Sequence, residues 1–262
     1  IESGPLPPTL CTATLHSIET IPEMDQGAHV LVVRGEKAQL ETVPYVAAEA
    51  NVATDRIRVA LQPSGRGEAS MVWERARNSD TPLRAFLANE PGRQAENLER
   101  MLQPLLGRVA VGDVKTSALL DPSAPLRVEL RVTAEDFASV QNGRLVIDGK
   151  SADEPLQRWT TSTERTRPLL LPVPSRELRT LEIELPPGLV PAALPDPVEL
   201  DTRFGRFALR WTRDGRVLRM LRERTLRAPR IEAAEYQEFA EFASRADAAA
   251  RARITIEKGD RR

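Results

Sequence analysis

The chain has 262 residues, with 37 Lys+Arg against 38 Asp+Glu and a formal net charge of −1, so it lacks the basic excess expected of a duplex-binding protein. No stretch approaches the roughly 18 consecutive apolar residues of a membrane-spanning helix. Cys11 is the single cysteine, which excludes an internal disulfide and a thiolate zinc cluster. The length suffices for more than one domain with a sizeable core. The chain opens on Ile1 rather than methionine, which points to a processed or trimmed chain, and no secretory leader stands in it.

Residues 1–20 are rich in Pro and Gly and read as a leader or linker. His29-Val30-Leu31-Val32-Val33 is an apolar run suited to a buried strand, with Gly35-Glu36-Lys37 as a turn and Leu40 to Val43 returning. Ile57, Val59 and Leu61 alternate with polar or small neighbours, as do Ala69, Met71 and Trp73. That period of two predicts half-buried strands, joined into a hairpin around Gly65-Arg66-Gly67.

Asp80-Thr81-Pro82 predicts a helix start, with Asp80 as the capping side chain. Leu83, Phe86 and Leu87 recur at helical spacing, and after Glu90-Pro91-Gly92 a second helix carries Ala95, Leu98, Met101, Leu102 and Leu105 on one stripe before Gly107. Strands resume over Arg108 to Val114. The cleanest alternation is Leu126 to Thr133, and Leu145-Val146-Ile147 adds a short strand between glycines.

Residues 151–168 are polar and unpatterned and predict a linker between a β-rich domain over 21–150, with its helical pair, and a second over 169–262. In the second domain Leu181, Ile183 and Leu185 alternate until Pro186-Pro187-Gly188. Phe207, Leu209 and Trp211 alternate up to Asp214-Gly215, which reads as a two-residue hairpin turn facing Trp211 with Leu218 and Leu209 with Met220. Tyr236, Phe239, Ala243 and Ala246 form the apolar stripe of a helix from about Ala233 to Ala250, and Ile254-Thr255-Ile256 gives a last strand. The fold class is therefore β-dominated α+β, with antiparallel β-sandwich-like domains and a few helices.

Candidates for chemistry are sparse. A nucleophilic Cys11 would need a base, and His16 and His29 are the two histidines, with Asp25 as a formal third member. No helix pattern begins at Cys11, so an incidental thiol is the simpler reading. No HExxH spacing exists, and two histidines do not complete a catalytic zinc site without a carboxylate. Glu182/Glu184 and Glu135/Asp136 read as solvated charges rather than acid/base pairs. Gly65-Arg66-Gly67 is too short for a nucleotide loop. Trp73, Trp211, Phe207, Tyr236 and Phe239 lie on faces expected to be buried, as core rather than as a stacking platform.

The segment from Ile21-Pro22-Glu23-Met24-Asp25 through Gln26-Gly27-Ala28-His29 to Val30-Leu31-Val32-Val33 resembles a stretch of bacterial multidomain transglutaminase-like proteins. Val43-Pro44-Tyr45, Glu49-Ala50-Asn51, Gly67-Glu68-Ala69, Ser117-Ala118-Leu119 and Ala234-Glu235-Tyr236-Gln237-Glu238-Phe239 follow in the same order. The resemblance implies a β-sandwich, then a papain-like Cys-His-Asp core, then a β-rich C-terminal region, and this chain corresponds to the last. The family's catalytic acid would fall in the segment Leu10-Cys11-Thr12-Ala13, where Leu10 stands in its place, and the family's nucleophile and histidine would lie upstream. No catalytic, cofactor-binding or metal residue is carried over.

The chain is thus expected to be a non-catalytic structural or interaction region, not itself an enzyme. It would pack on upstream domains of the same polypeptide or on a protein partner, with no cofactor, nucleic acid or membrane span. The resemblance implies an extracytoplasmic setting, periplasmic or secreted. Two other readings stand beside it: a cysteine hydrolase or transamidase using Cys11 with His16 or His29, and a stand-alone β-sandwich that binds carbohydrate or protein.

Overall fold

The structure, a computed structural model, describes residues 20–89, 92–148 and 155–259. β1 (His29–Arg34) and β2 (Lys37–Thr42) form one hairpin, and β3 (Val52–Leu61) and β4 (Gly67–Arg75) form another. The helices α1 (Thr81–Ala88) and α2 (Gln94–Leu106) follow, then β5 (Val109–Ser117), β6 (Leu126–Ala134), β7 (Ser139–Gln141) and β8 (Arg144–Ile147). After a 3-10 turn at Leu156–Trp159 come β9 (Leu169–Leu170), β10 (Ser175–Glu184), β11 (Leu189–Pro191) and β12 (Val198–Thr202). The long hairpin β13 (Gly205–Asp214) and β14 (Val217–Leu226) leads to β15 (Arg230–Ile231), α3 (Tyr236–Ala250) and β16 (Ile254–Lys258).

Eight strands make the principal sheet, in the order β12-β13-β14-β10-β3-β4-β6-β5. A four-stranded antiparallel sheet, β11-β16-β8-β7, packs against it. The contact is a shared core of Val59, Ile183 and Leu218 from the large sheet with Leu145, Ile147, Ile254 and Ile256 from the small one. Among the described residues the protein is β-rich, with several antiparallel sheets and three α-helices, as its sequence predicts.

The expected linker divides the strands in sequence but not in space. Strands from both sides of it share the large sheet, and they meet where β3 pairs with β10 in parallel. An open strand edge exposes a row of unpaired N–H and C=O groups, and each half covers that edge of the other. Asn51 fixes the seam: its side-chain amide donates to the Pro174 carbonyl at 2.9 Å, and its own carbonyl accepts the Arg176 amide at 3.0 Å.

α3 covers the second half of the sheet. Tyr236, Phe239, Ala243 and Ala246 are all buried, and Phe239 meets Phe204 edge-on with centroids 5.7 Å apart. Full burial of a side chain such as Phe239 is worth about 1.5–3 kcal/mol. Asp247, on the same helix, accepts the amides of Leu156 and Gln157 at 3.0 and 2.8 Å and so anchors the 3-10 turn.

Four local expectations change. The Asp80 side chain does not cap α1; it pairs with Arg84 at 2.9 Å. Arg84 is fully buried and also donates to the carbonyls of Ala118, Leu119 and Ala124, so it needs the counter-charge more than a helix end needs an acceptor. Met101 is 38% exposed, leaving Leu98 and Leu102 as the buried stripe of α2. β1 is not a buried strand: Leu31 and Val33 are exposed and Val32 alone of the run is buried, because β1 pairs only with β2 among the described residues. In the long hairpin the loop residues are Gly215 and Arg216, so Trp211 faces Met220 and Leu209 faces Arg222. Gly215, with φ +56°, sits at the first central position, where a mirror-image turn favours glycine. The shift is two residues, so each side chain keeps its face.

Candidate functional site

The alternation of β3 sends Ala53, Asp55, Ile57 and Val59 to one face, and pairing with its neighbours extends each into a row across the sheet. One row reads Trp73, Asp55, Arg179, Arg222 on β4, β3, β10 and β14. On one side of it lies Arg75, Ala53, Glu177, Arg224. On the other lies an apolar row of Met71, Ile57, Leu181 and Met220, continued by Trp211 on β13. Neighbouring rows stand two residues apart along the strands, about 6.6 Å. A cavity of about 880 Å³ opens over these rows, with Leu83 and Phe86 of α1 and Leu102 of α2 also in its wall.

Asp55 is the electrostatic centre of the floor. Its Oδ2 accepts Arg179 Nη2 at 2.7 Å and Nε at 3.1 Å, and its Oδ1 lies 2.7 Å from Arg75 Nη2. Burial alone would raise this carboxyl; the charges and hydrogen bonds of Arg179 and Arg75 together outweigh it and hold the group below the ordinary aspartate range. Glu177 accepts Arg224 Nη2 at 2.6 Å and lies 3.8 Å from Arg222 Nη2. Arg222 is buried. Its burial first, then the like charge of Arg224, pushes the guanidinium down to about 10 against the pull of Asp55.

All three tryptophans of the chain, Trp73, Trp159 and Trp211, line this cavity. Arg158, also in the wall, holds its guanidinium 4.5 Å from the Trp159 ring centre. Trp73 is a buried core residue, as are Phe207, Tyr236 and Phe239, whereas Trp211 is half-buried between the two core clusters. The wall therefore joins planar cations to aromatic and aliphatic surface, a combination suited to holding an anion with an apolar part.

The other sequence candidates do not meet here. Cys11 and His16 lie outside the described residues. His29 Nδ1 is 3.0 Å from Thr42 Oγ1 across the exposed β1–β2 hairpin, and Asp25 sits in the 3-10 turn Glu23–Asp25. Glu182 is held on the outer face by Arg219 and Arg58 and Glu184 by Arg216, while Asp136 pairs with Arg108 at 3.1 Å and Glu135 with Arg66 at 3.6 Å. Gly65-Arg66-Gly67 is the tip of the β3–β4 hairpin. Gly65 has φ +90° and a Cβ there would fall 2.1 Å from the Ala138 carbonyl oxygen, so close backbone packing accounts for this glycine. Among the described residues no group of three or more His, Cys, Asp or Glu side chains is placed to hold a metal ion, and no helix is long and apolar enough to cross a membrane.

Against known proteins, residues 148–256 match a family model described as a domain of unknown function with a solved structure, DUF3858. That span holds β9 to β15, α3 and the start of β16. No curated protein matches the chain. Among solved structures, one from Parabacteroides distasonis described as a candidate protease aligns at 19% identity with a TM-score of 0.30. The alignment covers 36% of this chain and 19% of that one, a likeness too low to define a shared fold, so the chain spans about a fifth of the length of that structure.

Proposed function

We propose that this chain is a non-catalytic binding region of a larger, transglutaminase-like protein, and that its working feature is the cavity on the large sheet. The observation that carries this reading is the state of Asp55. It is the carboxylate at the centre of the cavity floor, and two guanidiniums hold it ionised. A carboxylate tied down in this way is a poor general base near neutral pH and a poor general acid, because its proton affinity is far from the operating pH. Its evident work is to fix Arg75 and Arg179 in place. The apolar row beside it, in which Ile57, Leu181 and Trp211 are half-buried and Met71 and Met220 buried, gives a bound group a surface to lie on.

The test is a comparison of thiol reactivity. The native chain and a denatured control are treated with an alkyne-tagged iodoacetamide, and the labelling rate of Cys11 is measured by mass spectrometry. Equal or slower labelling in the native chain is expected. Labelling of native Cys11 clearly faster than the denatured control, abolished by His16→Ala or His29→Ala, would establish a cysteine hydrolase or transamidase instead.

A further inference from the structure

We infer that the cavity is a site for an organic carboxylate with an apolar body. The carboxylate would lie on the arginine rows and the body along Met71, Ile57, Leu181 and Met220, beneath α1 and α2. The inference deepens the binding role just proposed and rests on it.

The first argument is charge. On the two adjoining polar rows, among the described residues, four guanidiniums (Arg75, Arg179, Arg222, Arg224) face two carboxylates (Asp55, Glu177); the rest of the lining adds Arg158 and the carboxylates of Glu23, Asp136 and Asp148, so the positive excess is confined to these rows. Each of these arginines is already engaged within the protein. A guanidinium carries five N–H donors, however, so one carboxylate contact does not exhaust it, and an incoming carboxylate would join or compete with the contacts each arginine already makes. Burial is the main reason the Arg222 guanidinium is pushed down, and the like charge of Arg224 is the second; an added anion would relieve that second, smaller part.

The second argument is shape. Planar forks match planar carboxylates in two parallel hydrogen bonds. The apolar row begins about 6.6 Å from the arginine row, so a ligand whose carboxylate meets Arg179 and Arg222 has its next few carbons over Leu181 and Met220. Leu83, Phe86 and Leu102 add further apolar lining. A small inorganic anion would satisfy the arginines and leave this surface uncovered. The volume of about 880 Å³ accommodates an acyl chain or a short peptide terminus.

The three tryptophans make entry directly readable. Selective tryptophan excitation of the full chain is followed during titration with decanoate, with decanol as its neutral partner, and with inorganic phosphate. An N-acetylated apolar tripeptide is added as free acid and as C-terminal amide, so that an acyl source and a peptide source are separated. Saturable quenching or an emission shift is expected with an acid, at an affinity at least about tenfold above its neutral partner, the worth of one charge-assisted pair of contacts. Whichever acid binds tighter identifies the source. Arg222→Gln should reduce the affinity for the acid more than that for its neutral partner, so that the acid-to-neutral ratio falls. The wild-type comparison of acid with neutral partner stands without any variant, should that substitution unfold the chain. Equal affinity for acid and neutral partner, phosphate binding as tightly as decanoate, or no saturable response to either acid would overturn the inference. The Cys11 labelling outcome is independent of all three.

Discussion

Asp55→Asn isolates the electrostatic centre of the cavity with almost no change in volume. The carboxylate accepts two hydrogen bonds from Arg179 through one oxygen and lies 2.7 Å from Arg75 through the other. An amide keeps one acceptor and turns two donors toward guanidinium N–H groups. Asp55, Arg75 and Arg179 are each less than a fifth exposed, so solvent screens little of the loss. Removing one partner of a buried pair costs about 3–5 kcal/mol. With a urea dependence near 3 kcal/mol per M, the upper end for small proteins, the unfolding midpoint at pH 7 should fall by about 1–1.7 M. The pH dependence supplies the sign check. The folded carboxyl titrates below the ordinary aspartate value of 3.8, so its contribution is complete above that value and is lost as pH falls through the lowered folded value. The gap between wild type and Asp55→Asn should therefore be constant from pH 5 to 7 and close in stronger acid. A midpoint that barely moves at pH 7, or a gap that persists undiminished in strong acid, would refute this account of Asp55.

Two further substitutions test the frame around the cavity. Arg84→Met removes the buried cation that joins Asp80 to the Ala118, Leu119 and Ala124 carbonyls. A loss of about 3–5 kcal/mol should lower the melting temperature by roughly 6–20 °C, and Asp80→Leu combined with Arg84→Met should recover part of it; a double variant worse than the single would count against the pairing. Asp247→Ala deletes the acceptor of two amides and should cost about 2–3 kcal/mol. Hydrogen exchange at Leu156 and Gln157 should accelerate together, and unchanged protection there would show that α3 does not anchor the turn.

The periodic parts of this fold were legible because period two in a strand and 3.6 in a helix follow directly from which side chains are buried. Leu126 to Thr133, Ile57 to Leu61 and the stripe of α3 all appear where alternation or helical spacing puts them. The cavity was not legible, for an instructive reason. In each contributing strand the inward set passes from apolar to charged toward the same end of the sheet: Ala69, Met71, Trp73, then Arg75; Leu61, Val59, Ile57, then Asp55; Ile183, Leu181, then Arg179; Leu218, Met220, then Arg222. Reading hydrophobic alternation cuts each pattern one position short at its charged end. A charged residue continuing the parity of an apolar set, repeated in four strands, was the available signal. Its meaning depends on register, since only pairing places Asp55 opposite Arg179. The parallel β3–β10 contact sets that register across more than a hundred residues of sequence, and local pattern carries no trace of it. The turn at Gly215-Arg216 shows a milder version, in which the hairpin is evident but a two-residue difference in register is not.

The same seam explains why the polar cluster belongs to the whole chain rather than to either half. Asp55 and Arg75 come from strands before the segment 151–168; Glu177, Arg179, Arg222 and Arg224 come from strands after it. The residues that match the domain of unknown function include those four but neither Asp55 nor Arg75. Without β3, the row of Arg179 and Arg222 would hold no carboxylate, Glu177 of the adjoining row would be the nearest one on these strands, and the β10 edge would lie open. Pairing with β3 closes that edge and supplies the anion that orders Arg179, while adding the apolar pair Ile57 and Met71 that extends the surface beside it. The cavity is therefore a product of the join. Its polar rows and its apolar row are continuous only because two separately patterned sets of strands meet in one register, and the ionic contact of Asp55 with Arg179 is made across that meeting line.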